Sequence, residues 1–235
     1  MAVLQKETLH LADNGTRLTG LLMRPDGTAP LPGVVVIQEW WGIEPHVQDV
    51  AQRLAGEGFV VLVPDLYHGK VATEPDEAGK MMMALTGNME RAIQEIQLAV
   101  RTLQERADVE PKKISVMGFC MGGLLTWRAA EVTPGLAAIV PWYGAMYNPT
   151  EADVRRLDMP ILAIYGGKDG SIPPESRRHI DQLLKLTGRD AQILVYPEAG
   201  HAFLNNTHGS YNAAAARDAW PKAVAFLKAH SGATA

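Results

Sequence analysis

Apolar positions along this chain follow two rhythms, and the way they alternate predicts the fold. Residues 33–37 (GVVVI) and 59–63 (FVVLV) are unbroken apolar runs, the pattern of strands covered on both faces. Residues 16–23 predict an earlier strand ended by Arg24-Pro25, and 113–117, 137–140, 161–165 and 192–196 predict four more. Between these runs the spacing turns helical. Residues 45–57 predict a helix opened by Pro45 and closed by Gly58 in the C-cap position. From Asn88, a candidate N-cap, Ile93, Ile96, Val100 and Leu103 recur at helical spacing up to a stop at Pro111. A closing amphipathic helix is predicted over 213–228. Strands alternating with helices specify an α/β fold: a mostly parallel sheet of about eight strands with helices on both faces.

Composition narrows the picture. A chain of 235 residues, 47% hydrophobic, is within the range of one large core, so a single domain over 1–235 is expected, with 1–15 and 230–235 as peripheral termini. Lys and Arg total 22 against 26 Asp and Glu, a formal charge of -4 without long runs of one sign. That balance offers no footprint for nucleic acid or an anionic membrane and leaves a small molecule as the expected partner. The N-terminal stretch has no apolar run long enough for a signal peptide, and no segment approaches the roughly 18 apolar residues of a membrane span, so a cytoplasmic location is expected. Nothing in the sequence separates a monomer from a homodimer.

The single cysteine, Cys120, cannot form an internal disulfide, and its setting is specific. The predicted strand 113–117 runs into Gly118-Phe119-Cys120-Met121-Gly122-Gly123, the G-x-nucleophile-x-G spacing of a nucleophile elbow with cysteine at its centre. A sharp strand-to-helix turn strains the central residue and brings backbone close, so flanking glycines avoid clashes. The start of the helix predicted at 123–131 favours a thiolate over a thiol. Two more strand ends carry chemistry: Gly166-Gly167-Lys168-Asp169 after 161–165, and Pro197-Glu198-Ala199-Gly200-His201 after 192–196. Nucleophile, acid, histidine is the chain order of α/β-hydrolases. Cys120, His201 and Asp169 are therefore the candidate catalytic residues, with backbone N–H groups of Met121 and Trp40 as the candidate oxyanion hole.

Taken together, Gln38-Glu39-Trp40-Trp41-Gly42, Val63-Pro64-Asp65-Leu66-Tyr67, the 118–123 elbow, Gly167-Lys168-Asp169 and Ala199-Gly200-His201 resemble the dienelactone hydrolase family, a branch of the α/β-hydrolase fold with a cysteine nucleophile. The likeness runs from about residue 20 to about residue 227. It implies an ester or lactone hydrolase working through a cysteine acyl-enzyme. It also implies that Glu39 faces the thiol, holding it neutral at rest and accepting its proton when substrate arrives. The plain alternative for Glu39 is a surface carboxylate capping the next turn.

Substrate choice departs from the family pattern. Members acting on dienelactone carry a serine directly after the catalytic histidine and an arginine soon after; here those positions are Ala202 and Asn205. Without that carboxylate clamp, neutral aryl or apolar esters and lactones are expected, and whether Lys70 or Lys80 substitutes for the arginine is left open. Trp40, Tyr143 and Phe203, on strand-end loops, are the candidate substrate contacts. A second expectation is promiscuous attack on neutral phosphate triesters, since a thiolate leaves phosphorus more readily than an alkoxide. A thiol redox sensor or binding module is the remote alternative, disfavoured because such a role uses neither Asp169 nor His201. No cofactor is expected, and no metal, because His10, His46, His68, His179, His208 and His230 have no zinc-like spacing.

Overall fold

In a computed structural model, which describes residues 3–13 and 15–232, the chain builds one eight-stranded sheet in the order β1-β2-β4-β3-β5-β6-β7-β8. The strands are β1 Leu4–Asp13, β2 Thr16–Pro25, β3 Leu31–Ile37, β4 Val60–Pro64, β5 Val109–Phe119, β6 Ala138–Trp142, β7 Ile161–Gly166 and β8 Ala191–Tyr196. Among the described residues the helices are α1 Pro45–Gly56, α2 Pro75–Thr86, α3 Met89–Gln104, α4 Met121–Ala130, α5 Glu151–Arg155, α6 Pro174–Leu186 and α7 Ala213–Ser231. β1, β2 and β4 pair antiparallel, whereas β4 through β8 are all parallel. The fold is the expected α/β-hydrolase architecture.

The apolar runs lie at the centre of the sheet. Val34–Ile37, Val60–Val63 and all of β6 and β7 are buried, as strands covered on both faces must be. From β3 the chain crosses through α1 to β4 on one side, then returns past β3 to β5 on the other. Right-handed crossovers in opposite directions put their helices on opposite faces. Accordingly α1 meets α7, with Arg53 over the Trp220 ring at 3.9 Å, while α3 packs against α4. The reversal leaves a crevice at the carboxyl ends of β3 and β5, where open α/β sheets bind ligands.

Several boundaries differ from those the sequence predicts. Leu4–Asp13, expected as part of a peripheral terminus, forms the edge strand β1; most of its residues are exposed, and its apolar alternation is short, with Leu9 packed on the core and Leu11 within it. Residues 1, 2, 14 and 233–235 of the expected termini and first turn lie outside the described residues. Asn88 does cap α3, its side chain accepting the Arg91 N–H, but Pro111 does not close that helix. α3 ends at Gln104, and Pro111 lies inside β5 where the ladder to β3 slips from Leu31↔Val109 to Gly33↔Ile114. Proline survives in a strand at such an irregularity because no ladder hydrogen bond is asked of it. α2 is not among the predicted helices: Ala78, Met81, Met82 and Leu85 recur at helical spacing, but only Ala78 is buried and the other three pack partly exposed against the core. Among the described residues no helix is long and apolar enough to cross a membrane.

Candidate active site

β5 runs to Phe119, α4 begins at Met121, and Cys120 alone makes the corner, with φ 54° and ψ −115°. A side chain at positive φ costs on the order of 1–3 kcal/mol and persists only where the surroundings hold it. Here the Cys120 N–H donates to the Trp142 carbonyl at 3.1 Å, and its own carbonyl accepts from Gly123 N–H at 3.0 Å. The corner needs glycine beside it. A Cβ on Gly122 would come within 2.5 Å of the carbonyl oxygens of Ile37 and Gln38, and one on Gly118 would strike the Gly122 carbonyl. That close approach seats the start of α4 against the end of β3, so the 38–40 segment flanks the elbow. Cys120 is partly exposed. Met121 is the first residue of α4, whose leading N–H groups have no partner within the helix.

His201 follows β8 and Asp169 follows β7, two strands paired in parallel, so their carboxyl ends bring both residues together. His201 Nδ1 and Asp169 Oδ2 are 2.7 Å apart, and the other Asp169 oxygen accepts the Ser171 N–H at 2.8 Å. Burial lowers the imidazole's affinity for a proton, but the Asp169 hydrogen bond, joined by one to Cys120, outweighs it and carries the His201 pKa up to about 10. With Nδ1 taken by Asp169, Nε2 is the ring nitrogen left for the thiol.

Glu39 is no surface carboxylate: it is 1% exposed, and the carboxylate that caps α1 is Glu44, which accepts the His46 N–H at 3.0 Å. The Glu39 oxygens accept from Asn205 Nδ2 at 2.7 Å and from the Tyr143 hydroxyl at 3.4 Å. Burial raises its pKa to about 7; the Asn205 hydrogen bond partly offsets this, and the nearby Glu44 adds to the rise. Tyr143 itself stands at φ 36°, its N–H on the Ile164 carbonyl at 2.7 Å and its ring edge-on to His201 with centroids 5.3 Å apart.

Of the three candidate substrate contacts, Trp40 alone presents surface. Tyr143 and Phe203 are fully buried and packed on each other with centroids 5.6 Å apart, and it is Tyr143 that lies against the imidazole. Tyr67 reaches the elbow, its hydroxyl 3.5 Å from Met121 Sδ, and beside it opens a cavity of about 220 Å³ lined by Leu66, Met81, Leu85, Lys70 and Arg91. Lys70 and Lys80 are both exposed. Two residues of the site carried no sequence signal, Glu44 and Thr207. Both join through Asn205, whose neighbourhood depends on a contact between segments about 160 positions apart.

The sequence profile of the dienelactone hydrolase family matches residues 18–231 of this chain. Protein usf of Aquifex pyrophilus is 36% identical over 94% of this chain and 97% of its own. A provisionally named carboxymethylenebutenolidase of Escherichia coli K12 is 34% identical over 94% of this chain and 86% of its own. Among solved structures, a provisional dienelactone hydrolase from Klebsiella pneumoniae superposes with a TM-score of 0.80 at 27% identity, covering 96% of this chain and 98% of the other. The dienelactone hydrolase-like promiscuous phosphotriesterase P91, from metagenomic libraries, superposes at 0.89 with 24% identity, covering 98% and 99%.

Proposed function

The chain belongs to the dienelactone hydrolase family, and within that family of hydrolases we propose that it cleaves neutral, apolar or aryl esters and lactones through a thioester on Cys120. The observation that carries the reading is the strained Cys120 corner at the carboxyl end of β5, with the His201 imidazole anchored on Asp169 at 2.7 Å.

In this mechanism Cys120 Sγ attacks the carbonyl carbon while His201 Nε2 holds or takes the thiol proton, with Asp169 fixing the ring's tautomer and stabilising its charged form. The oxyanion that develops is met by the N–H groups of Met121 and Trp40. Collapse of the tetrahedral intermediate breaks the bond to the alkoxide, which leaves with the proton from His201. Water, deprotonated by His201, then attacks the thioester, and the acid product departs as Cys120 recovers its proton from the imidazole.

The preference for neutral substrates rests on the floor of the site. Asn205 is fully buried and spends its amide on Glu39 and Glu44, so it presents no cation to a substrate carboxylate. A substrate anion would approach two buried acidic side chains instead, at a Coulomb cost that a low-dielectric floor magnifies. A neutral phosphate triester is the second electrophile proposed for the same thiol; the polarisable sulfur is also the better leaving group when water attacks the resulting phosphocysteine.

Mass spectrometry after rapid mixing tests both, with aryl esters, lactones and paraoxon as substrates and Cys120→Ser and Cys120→Ala as controls. An acyl mass on the peptide containing Cys120 is expected within the first turnover. Undiminished turnover by Cys120→Ala would overturn the thiol mechanism, and a dienelactone kcat/KM far above that for p-nitrophenyl esters would overturn the substrate preference. A single stoichiometric burst with paraoxon followed by permanent inactivation would remove the triester reading.

A further inference from the structure

Asp169 sits in the loop that joins β7 to α6, residues 167–173, and the two sides of that loop are held by different means. Toward β8 the backbone suffices. Gly167 N–H donates to the Tyr196 carbonyl at 2.7 Å, and Lys168 N–H donates to the Ala199 carbonyl at 2.9 Å. A Cβ on Gly166 would lie 2.4 Å from the Gly200 carbonyl oxygen, so the start of the loop is pressed against the segment that leads to His201. On the side away from β8 the backbone runs short of donors. The loop leaves through Pro173-Pro174, two residues without N–H groups, and no side chain caps α6.

Arg177 fills that gap. It shares a face of α6 with Ile180 and Leu184, both buried, at the i, i+3, i+7 spacing of core-facing positions. Arg178, its neighbour in the chain, is exposed. A single nitrogen of the Arg177 guanidinium, Nη1, donates to the Gly166 carbonyl at 3.1 Å and to the Ile172 carbonyl at 2.7 Å. Each acceptor can take one of its two hydrogens. Gly166 is the last residue of β7, and Ile172, itself buried, follows Asp169 by three positions, so the side chain ties the loop across its neck.

We propose that Arg177 is a positioning residue for Asp169: by joining the Gly166 and Ile172 carbonyls it closes the acid loop on the side that β8 does not hold, and so sets the carboxylate at hydrogen-bonding distance from His201. Arg177 acts through the loop alone. One Asp169 oxygen is 2.7 Å from His201 Nδ1, while the other accepts the Ser171 N–H at 2.8 Å from within the same loop. The carboxylate is therefore only as fixed as the loop that carries it. A displacement of about 1 Å at a catalytic group can cost on the order of 10²-fold in rate, so a loosened neck is felt at the imidazole. The proposal rests on the thioester mechanism for the use made of the His201–Asp169 pair, and it adds the residue that holds the pair in register.

A double-mutant cycle tests it, with p-nitrophenyl acetate as substrate and wild type, Arg177→Met, Asp169→Asn and the double variant compared. The low-field NMR signal of the His201 Nδ1 proton is recorded beside it for wild type and the single Arg177 variants. Arg177→Met keeps the length of the side chain without its donors, and it is expected to lower kcat about tenfold or more, with KM changed by less than about twofold. The low-field signal should broaden or disappear. In the Asp169→Asn background the same substitution should change kcat by less than about twofold, because a residue that acts only through Asp169 has nothing left to act on. Equal losses in the two backgrounds would overturn the proposal. So would a lowered melting temperature with kcat and the low-field signal unmoved, which would make Arg177 merely structural. Arg177→Lys keeps the charge without the planar fork and should show a smaller loss of the same kind; if Arg177→Met fails to fold, the cycle is read with lysine. The NMR signal does not depend on which group is the nucleophile. Full activity in Cys120→Ala would thus remove the thioester mechanism, whereas a signal unmoved in both Arg177 variants would remove this proposal alone.

Discussion

His201 and Asp169 come from two neighbouring strand ends and meet at 2.7 Å with the carboxylate fully buried, so the imidazole has one orientation. Replacing Asp169 by Asn keeps the size of the side chain and offers Nδ1 a donor where it had an acceptor. We expect kcat for p-nitrophenyl acetate to fall at least about 10²-fold with KM little changed. The bound proton on His201 should also be lost at lower pH than in wild type, readable by NMR of the ring, because the Asp169 hydrogen bond is the largest influence holding it. A loss in kcat smaller than threefold would contradict this role.

Gly122 measures how tightly the elbow is seated. Its Cβ would meet backbone oxygens of Ile37 and Gln38 at 2.5 Å, and backbone cannot step aside as a side chain can. Gly122→Ala is expected to cost roughly 1–3 kcal/mol in urea unfolding and to reduce activity further by pushing the 38–40 segment from the thiol. Gly79→Ala in α2 is the control. Nothing lies within 4 Å of its Cβ position, so it should be neutral or stabilise by up to about 1 kcal/mol without changing turnover.

Glu39 links function to stability with a definite sign. Its folded pKa, about 7, lies above the ordinary 4.5, so between those values the native state holds a proton that the unfolded chain has lost. Stability therefore falls as pH rises from 4.5 through 7 on account of this group. Glu39→Gln should be more stable than wild type at pH 8 by about 1–3 kcal/mol, with the difference shrinking toward pH 4.5. Equal denaturation midpoints at both pH values would show that Glu39 titrates normally.

His46 behaves in the opposite sense. Burial, with Arg53 and His208 nearby, lowers its pKa to about 4, and its ring stands edge-on to Phe119 with centroids 5.7 Å apart. As pH falls from 6.5 to 4 the unfolded chain takes up a proton that the folded one refuses, and stability is lost across that window. His46→Leu should lose about 1–3 kcal/mol less than wild type between pH 7 and pH 4.5, as measured by urea midpoints. Parallel losses in the two proteins would refute the assignment.

How much of the molecule is legible in its sequence follows from range along the chain. Strand cores, the Pro45 start of α1, the Asn88 cap of α3 and the elbow spacing are local, each set by residues within one turn or one strand. Local signals weaken where most of an element is exposed, as in β1, or its apolar face is only partly buried, as in α2. Pro111 misleads for a related reason, since the slip in the β3–β5 ladder that tolerates it belongs to strand pairing.

By itself, then, the sequence determined the α/β class, the corner that exposes Cys120, and the strand ends that carry Asp169 and His201, because periodicity and turn chemistry are short-range properties. Only the tertiary structure decided that Glu39 is buried, that Glu44 and not Glu39 caps α1, that Tyr143 lies against the imidazole with Phe203 packed on it, and that Asn205 joins two carboxyl groups. The physical reason is desolvation: what a carboxyl or an amide does depends on which distant segments exclude water from it, and those segments meet only once the sheet has formed.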